Sequence, residues 1–481
     1  VKNYIDSIQL LSHKQLVMML ARQRHAATQG IAVVGMGLRL PGSISTPAAL
    51  WEALRESRVV FGPGSRIPVD SAGRPRWNLD APDLAPYADL VAAGSYLADV
   101  DLFDAERYGF PEEEARFLDP QERLLITCTA EALADAGADD TTGQRTGVFA
   151  ALSAVEYPYA AIRNGIGIDR LTDALGPRNA TGDVAAQIAT CFRLAGPAVS
   201  VDTACSSALT ALHLACAALR SGECDTAIVG ASHLVLAPTT FTLFDRWGLL
   251  SPTGRTRPFD AEADGYVRGE GCGVMVLRRQ DDTDSAYAAI RGTAVHHHGD
   301  HDSSHMVSSI GMSRAIRAAL RAAQVSPGSV GFVEAHANGV KLAAVIEAEV
   351  LADVYGRIGS GGPPLIIGSS KANFGYLESV SGMASLMKAV LAVHHAEIPP
   401  QAGFKVPDPA IAWDKLSLAV PGMPATWPAG PKRLAGVNAY GITGTYCHAL
   451  VESVAGSKPR PPRPLADRTG RSYWPESHRW S

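Results

Sequence analysis

Neither sign of charge is in excess in this chain: 43 lysines and arginines stand against 48 aspartates and glutamates, a net charge of −5. That balance argues against a basic face for nucleic acid or for an anionic membrane. Paired cysteines are lacking too. The seven present are odd in number and scattered, with no Cys-x-x-Cys, so neither a zinc ribbon nor a disulfide framework is expected. No charged leader precedes a clean apolar stretch at the start, and the long apolar runs are broken by charge, as between Arg220 and Asp225 or at Lys388. A signal peptide and a membrane span are therefore not expected, and a reduced, cytoplasmic setting is. No short period recurs, which excludes a solenoid. What remains is ordinary globular composition, 46% hydrophobic and 19% charged over 481 residues, enough for two or three domains.

Residues 1–29 read as a separate N-terminal helix, with Ile5, Ile8, Leu11, Leu16 and Leu20 at helical spacing. Surface or dimer packing is its expected use. The compact body starts at Ile31-Ala-Val-Val34, an apolar run stopped by Gly35. A Pro/Gly/Arg-rich stretch over 61–87 reads as an irregular surface excursion. Beyond Asp119, helical periodicities alternate with short β-rich runs at 147–149, 198–201, 226–229 and 273–277. A second series follows at 288–292, 332–333, 365–367, 433–437 and 449–452. Such alternation predicts an α/β fold of mostly parallel sheets covered by helices. Two series predict two fused halves, 30–280 and 281–455. In the tail, 456–481, Tyr473, Trp474 and Trp480 are large aromatics that want burial, so it is expected to wrap back onto the body.

The strongest local signal is Val201-Asp-Thr-Ala-Cys-Ser-Ser-Ala208, which links a strand to a helix over 209–219. A cysteine at such a turn sits at the positive end of a helix dipole, beside unpaired backbone N–H groups. The placement favours thiolate, the nucleophilic form, and offers donors to a thioester oxyanion. Most free cysteines are small core residues. Cys128, Cys191, Cys216, Cys224, Cys272 and Cys447 are read that way; Cys205 is read as a nucleophile.

At these residues the chain resembles the β-ketoacyl synthases of modular polyketide synthases, in the thiolase superfamily. Ile31 to Gly42, Asp119-Pro-Gln-Glu-Arg-Leu-Leu125 and Leu250 to Gly273 resemble that family as well, so the likeness runs nearly the whole chain. It implies a five-layered αβαβα arrangement of two pseudo-symmetric halves, normally a homodimer. It also implies a cysteine and two histidines in the site. Glu334-Ala-His336-Ala-Asn-Gly-Val340 corresponds to the first histidine motif, and Glu347 and Lys371 are kept. Two threonines expected to touch a phosphopantetheine arm are here Asn338 and Val340, and Ala343-Ala-Val345 replaces Gly-Asp-Pro. Asn373, Tyr440 and Thr443 are further expected contacts for that arm. The second histidine is lost: Lys371-Ala-Asn-Phe-Gly-Tyr376 ends in tyrosine. By the same resemblance the N–H groups of Ile442 and Cys205 form the oxyanion hole, in the loop Asn438-Ala-Tyr-Gly-Ile-Thr-Gly-Thr445.

The exchange at 376 has a chemical consequence. Decarboxylation of a malonyl thioester gathers charge on the thioester oxygen, where two imidazoles normally stand. A phenol, with a pKa of ~10 against ~6.5 for imidazole, carries protons poorly near neutrality. Loss of one oxyanion stabiliser costs roughly 3–4 kcal/mol. Malonyl-driven extension is therefore expected to be weak.

The segment Arg471 to Trp480 resembles the wrapping end that follows an acyltransferase in modular synthases, yet no acyltransferase precedes it here. A synthase domain acting in trans is the expectation. The expected function is non-elongating: an acyl or peptidyl carrier protein delivers a chain to Cys205, with no cofactor bound by the enzyme itself. His336 then acts as general base or acid and Tyr376 donates a hydrogen bond. Aldol-type ring closure and lactone-forming release follow, helped by intramolecular attack. In this the chain resembles the trans-acting synthases that close the γ-lactam-β-lactone of salinosporamide-type metabolites. Two alternatives remain open: decarboxylative extension with Tyr376 replacing histidine, and a non-catalytic partner resembling a chain-length factor; a dead scaffold fits poorly, because Cys205, His336, Lys371 and Glu347 all survive together. The run His296-His-His-Gly-Asp-His301 with His305 invites a metal reading, but adjacent loop histidines seldom close a tetrahedral set, so no metal is expected.

Overall fold

The computed structural model describes residues 8–9, 11–63, 69–82, 84–138, 143–153, 156–157, 181–237, 239–299, 307–358, 362–428, 430–456 and 470–473. The first half contributes β1 (Ile31–Arg39), α1 (Pro120–Asp135), β2 (Thr146–Ala151), α2 (Val184–Cys191), β3 (Ala198–Val201), α3 (Ser207–Ser221), β4 (Thr226–His233) and β5 (Gly271–Arg279). The second contributes β6 (Ala288–His297), α4 (Ser309–Ala323), β7 (Phe332–Glu334), α5 (Lys341–Val354), β8 (Leu365–Gly368), α6 (Ser381–His395), β9 (Leu434–Tyr440) and β10 (Thr445–Glu452).

The duplication is written in the strand order. The first half runs β3-β2-β4-β5-β1 and the second β8-β7-β9-β10-β6, the same permutation, with Leu418–Ala419 added beyond β8. The two sheets join where Ile31, Ala32 and Val33 of β1 pair antiparallel with Ile290, Ala289 and Ala288 of β6. In each half two ladders are parallel (β2 with β3 and β4; β7 with β8 and β9) and two antiparallel. The sheets are thus more mixed than the strand–helix alternation predicts.

Five layers follow from which helix covers which face. α1 and α2 pack on the outer face of the first sheet, α4 and α5 on that of the second, and α3 meets α6 between them. A helix with sheets on both sides must be apolar all round, and Ser381 to Val393 of α6 are all buried. Lys388 lies in that layer because its Nζ pairs with Glu334 Oε2 at 2.8 Å. The fold is thiolase-like, as the resemblance implies.

Some local readings shift. The N-terminal helix starts at His13, where Ser12 and Gln15 form a capping box, and none of its residues is buried. Ile5 lies outside the described residues. The excursion over 61–87 is not purely superficial: Arg76 is buried against Glu270 at 2.6 Å, and Trp77 donates to the Leu236 carbonyl at 3.2 Å. Arg471 and Ser472 pair with Phe103 and Leu102, and Tyr473 is buried beside Arg123. Trp474 and Trp480 lie outside the described residues. Of the six cysteines read as core residues, five are buried and Cys191 is half-buried.

Candidate active site

The turns after β3, β7, β8 and β9 converge, as expected at the C-terminal ends of strands in α/β sheets. After β3 the chain makes a tight elbow. Ala204 is held at φ +54 by its N–H to Asp202 Oδ1 (2.9 Å) and by Ser207 Oγ donating to its carbonyl (2.6 Å). A non-glycine residue in the left-handed region costs roughly 1–2 kcal/mol; here it aims Cys205, just before the Ser206 cap of α3. The Ile442 N–H reaches the sulfur from the loop between β9 and β10. That approach needs Gly441, since a Cβ there would stand 2.4 Å from the Thr203 carbonyl oxygen.

His336 follows β7. The Tyr440 N–H donates to its Nδ1 at 3.2 Å, so the neutral ring carries its proton on Nε2. Nε2 lies 3.4 Å from Tyr376 Oη, and the Tyr376 hydroxyl also faces the Cys205 sulfur, where it favours the thiolate form. One phenol therefore links thiol and imidazole. Burial, then the neighbouring Lys371 charge, hold His336 well below the usual imidazole range. Burial first, then Cys205, push Tyr376 well above the usual phenol range.

Glu347 shapes the turn that presents His336. Its carboxylate accepts the N–H groups of His336 and Ala337, each at 2.9 Å, and Asn438 Nδ2 at 2.8 Å. Asn438 Oδ1 continues to His448 Nδ1 (2.6 Å), and His448 Nε2 to Tyr355 Oη (2.9 Å). Burial raises Glu347 despite these bonds and drops His448 to about 3. Glu347→Ala leaves three buried donors without an acceptor, at about 1–3 kcal/mol each. A stability loss of at least about 3 kcal/mol is expected in urea unfolding, and an unchanged midpoint would contradict this network.

Three expectations need correction. Cys205 does not rest as thiolate: burial and the Glu378 carboxylate push its thiol up to about 11, although Tyr376, Ile442 and Lys371 pull the other way. Its alkylation by iodoacetamide should then rise about tenfold per pH unit from 7 to 9; a plateau below pH 8, read by intact-protein mass, would contradict the raised thiol. His336 is not a base at rest, because the Tyr440 N–H occupies the lone pair on Nδ1 and Nε2 bears the proton. Asn373 does not face the site, since its amide donates to the Arg58 carbonyl at 2.9 Å.

The other named residues are placed as follows. Lys371 is buried, its Nζ 5.9 Å from the Tyr376 ring centre, and burial lowers it to about 8. Val340 joins the apolar cluster of Cys205, Phe244, Tyr266 and Tyr376. Asn338 turns its Oδ1 to the Val340 N–H at 3.2 Å. The Tyr440 ring packs 5.0 Å from His336, and Thr443 is exposed. Behind Tyr376 stands a group the sequence did not announce. Arg268 bonds Glu378 at 2.6 Å beneath the rings of Phe241 and Phe244, while Gly269 N–H and Val267 C=O bond the Tyr376 backbone. No group of His, Cys, Asp and Glu among the described residues could hold a metal; His301 and His305 lie outside them. No described helix is long and apolar enough to cross a membrane.

The comparisons with known proteins decide the family. Residues 28–283 match the beta-ketoacyl synthase N-terminal domain, and residues 287–405 its C-terminal domain. The chain belongs to the β-ketoacyl synthases of modular polyketide synthases. This ketosynthase is 40% identical over 454 residues to one phenolphthiocerol/phthiocerol polyketide synthase polypeptide of Mycobacterium tuberculosis, covering 92% of this chain and 24% of that protein. A second phenolphthiocerol/phthiocerol polyketide synthase polypeptide of the same species is 40% identical over 435 residues, covering 88% of this chain and 23% of that protein. The ketosynthase thus spans about a quarter of the length of these curated relatives. Among solved structures, an oxazolomycin ketosynthase domain from Streptomyces albus JA3453 superposes with a TM-score of 0.78 at 30% identity, covering 89% of this chain and 76% of that one. The ketosynthase from module 6 of the bacillaene synthase of Bacillus subtilis 168 gives 0.77 at 29% identity, covering 88% and 72%.

Proposed function

We propose that this ketosynthase takes a finished acyl chain from the phosphopantetheine arm of a carrier protein onto Cys205 and closes it into a ring without elongating it. In the loading step the bond from Cys205 sulfur to the acyl carbon forms and the carrier's thioester bond breaks. The Cys205 proton ends on the carrier thiol. In the second step an enolisable carbon of the bound chain attacks a carbonyl of the same chain. The resulting alkoxide attacks the thioester, expels Cys205 and leaves as a lactone, the lost carbon-bound proton returning to sulfur.

The single observation that carries this reading is the Tyr376 O–H between Cys205 and His336 Nε2. It puts two donors, a phenol and an Nε2–H, beside the thioester, and no second imidazole. With His336 fixed as a donor, Lys371, lowered to about 8 by burial, is the group that exchanges protons near neutrality. A lysine is a base only when neutral, so ring closure should speed up as pH rises through about 8 and then level off. A rate that instead fell across that range would remove Lys371 from the role.

The same two donors could serve an enolate made by decarboxylation, so chain extension is the second reading. Two substrates separate them: a carrier-borne chain with its own ketone and no malonyl unit, and a malonyl-loaded carrier. Cyclised product from the first supports ring closure. Carbon dioxide from the second, with only unchanged or hydrolysed chain from the first, makes extension the function.

A homodimer and a cytoplasmic setting complete the proposal. Among the described residues nothing pairs with the outer edge of β3, where Ala198 and Val199 are exposed; an open edge is a template for another strand. A light-scattering mass of one chain would contradict the dimer.

A further inference from the structure

The histidine run at the end of β6 has no part in the chemistry above. Its contacts give it one. His297 Nδ1 accepts the Gly299 N–H at 3.0 Å, so its proton sits on Nε2, which donates to the Thr443 carbonyl at 2.9 Å. The N–H of that same peptide group, on Gly444, donates to the Gly441 carbonyl at 2.9 Å. The N–H of that next peptide group, on Ile442, reaches the Cys205 sulfur. Two peptide units therefore connect an imidazole N–H to the oxyanion donor, head to tail. Hydrogen bonds in such a chain polarise one another in the same sense, by about 10–30% per bond.

His298 holds the turn from beside it. Its backbone N–H and its Nδ1 both point to the Gly444 carbonyl, at 3.2 and 3.0 Å, and its ring stacks on His297 with centroids 4.9 Å apart. Gly444 sits at φ +89, and a Cβ there would lie 2.0 Å from the His298 ring. Only glycine lets the turn close under the two rings.

We propose that His297 is a positioning residue for the oxyanion hole, fixing and polarising the Ile442 N–H through the Thr443–Gly444 and Gly441–Ile442 peptides. The inference rests on the reading of Cys205 as the acyl acceptor. It concerns neither substrate binding nor proton transfer, and that makes it separable by experiment. Thioester attack by Cys205 creates an oxyanion, whereas displacement of iodide from iodoacetamide at the same sulfur creates none.

The test compares wild type, His297→Ala and His297→Gln in the full chain. Cys205 acylation by a simple acyl-N-acetylcysteamine thioester and its alkylation by iodoacetamide are both followed by intact-protein mass. His297→Ala should slow acylation about tenfold, less than the roughly 10²–10³ that a direct donor is worth, with alkylation unchanged. His297→Gln, which restores an N–H at a similar reach, should recover most of the rate. Equal loss of both reactions, or no loss of acylation, would overturn the proposal. Wild type that alkylates but never acylates would instead remove the reading of Cys205 itself, and this inference with it.

Discussion

Tyr376→His is expected to raise carbon dioxide release from a malonyl-loaded carrier by about 10²–10³-fold, within the range a positioned proton carrier is worth. The native ring is 4% exposed and packs on Tyr266 at a centroid distance of 4.8 Å, so it fills the space beside Cys205 as well as donating. An imidazole is smaller, leaves room for a malonyl carboxylate and carries protons near neutrality, where a phenol does so poorly. The backbone at 376 is fixed from both sides by Val267 and Gly269, so the new ring starts from the same place. Trapped radiolabelled carbon dioxide measures the gain. A rate no higher than wild type would mean that residue 376 does not decide between extension and other chemistry.

His336→Ala should cost about 10²–10³-fold in turnover of a carrier-borne chain, while iodoacetamide still modifies Cys205. The argument is the tautomer. With Nδ1 engaged by the Tyr440 N–H, the imidazole has one thing to offer, the Nε2–H. Alanine removes it, strands that amide and leaves the Tyr376 oxygen without its Nε2–H partner. If turnover survives, the stabilising donors are elsewhere. If alkylation disappears as well, His336 serves the thiol rather than the oxyanion.

Much of this was legible in the residues, and the failures share a cause. The duplication showed because strands and helices alternate twice, and a period of two against 3.6 is a local property. The elbow showed because Ala198 to Val201 runs straight into the turn at Cys205. Contacts between distant residues did not show. His336 reads equally as base or acid until Tyr440, 104 positions away, presents its N–H and leaves only the donor role. Arg76 reads as a surface arginine until Glu270, 194 positions on, buries it. Asn373 lies in the right motif, yet its side chain is spent on a carbonyl 315 positions back. The thiol misled for a different reason: the helix dipole is visible in a sequence, but the burial and the Glu378 charge that outweigh it are not. The histidine run suffered the same way. Read alone it invites a metal, and only the peptides it touches give it another use.

Intact-protein mass spectrometry of Cys205 decides between these readings in one run. The enzyme is mixed with a carrier-borne acyl chain that holds a ketone and contains no malonyl unit. One acyl unit should appear on Cys205 and then leave as a lactone whose mass equals the mass gained on Cys205, one water less than the linear acid. A Cys205 that never gains the acyl mass, or that sheds it only as the linear acid, would contradict the ring-closing role.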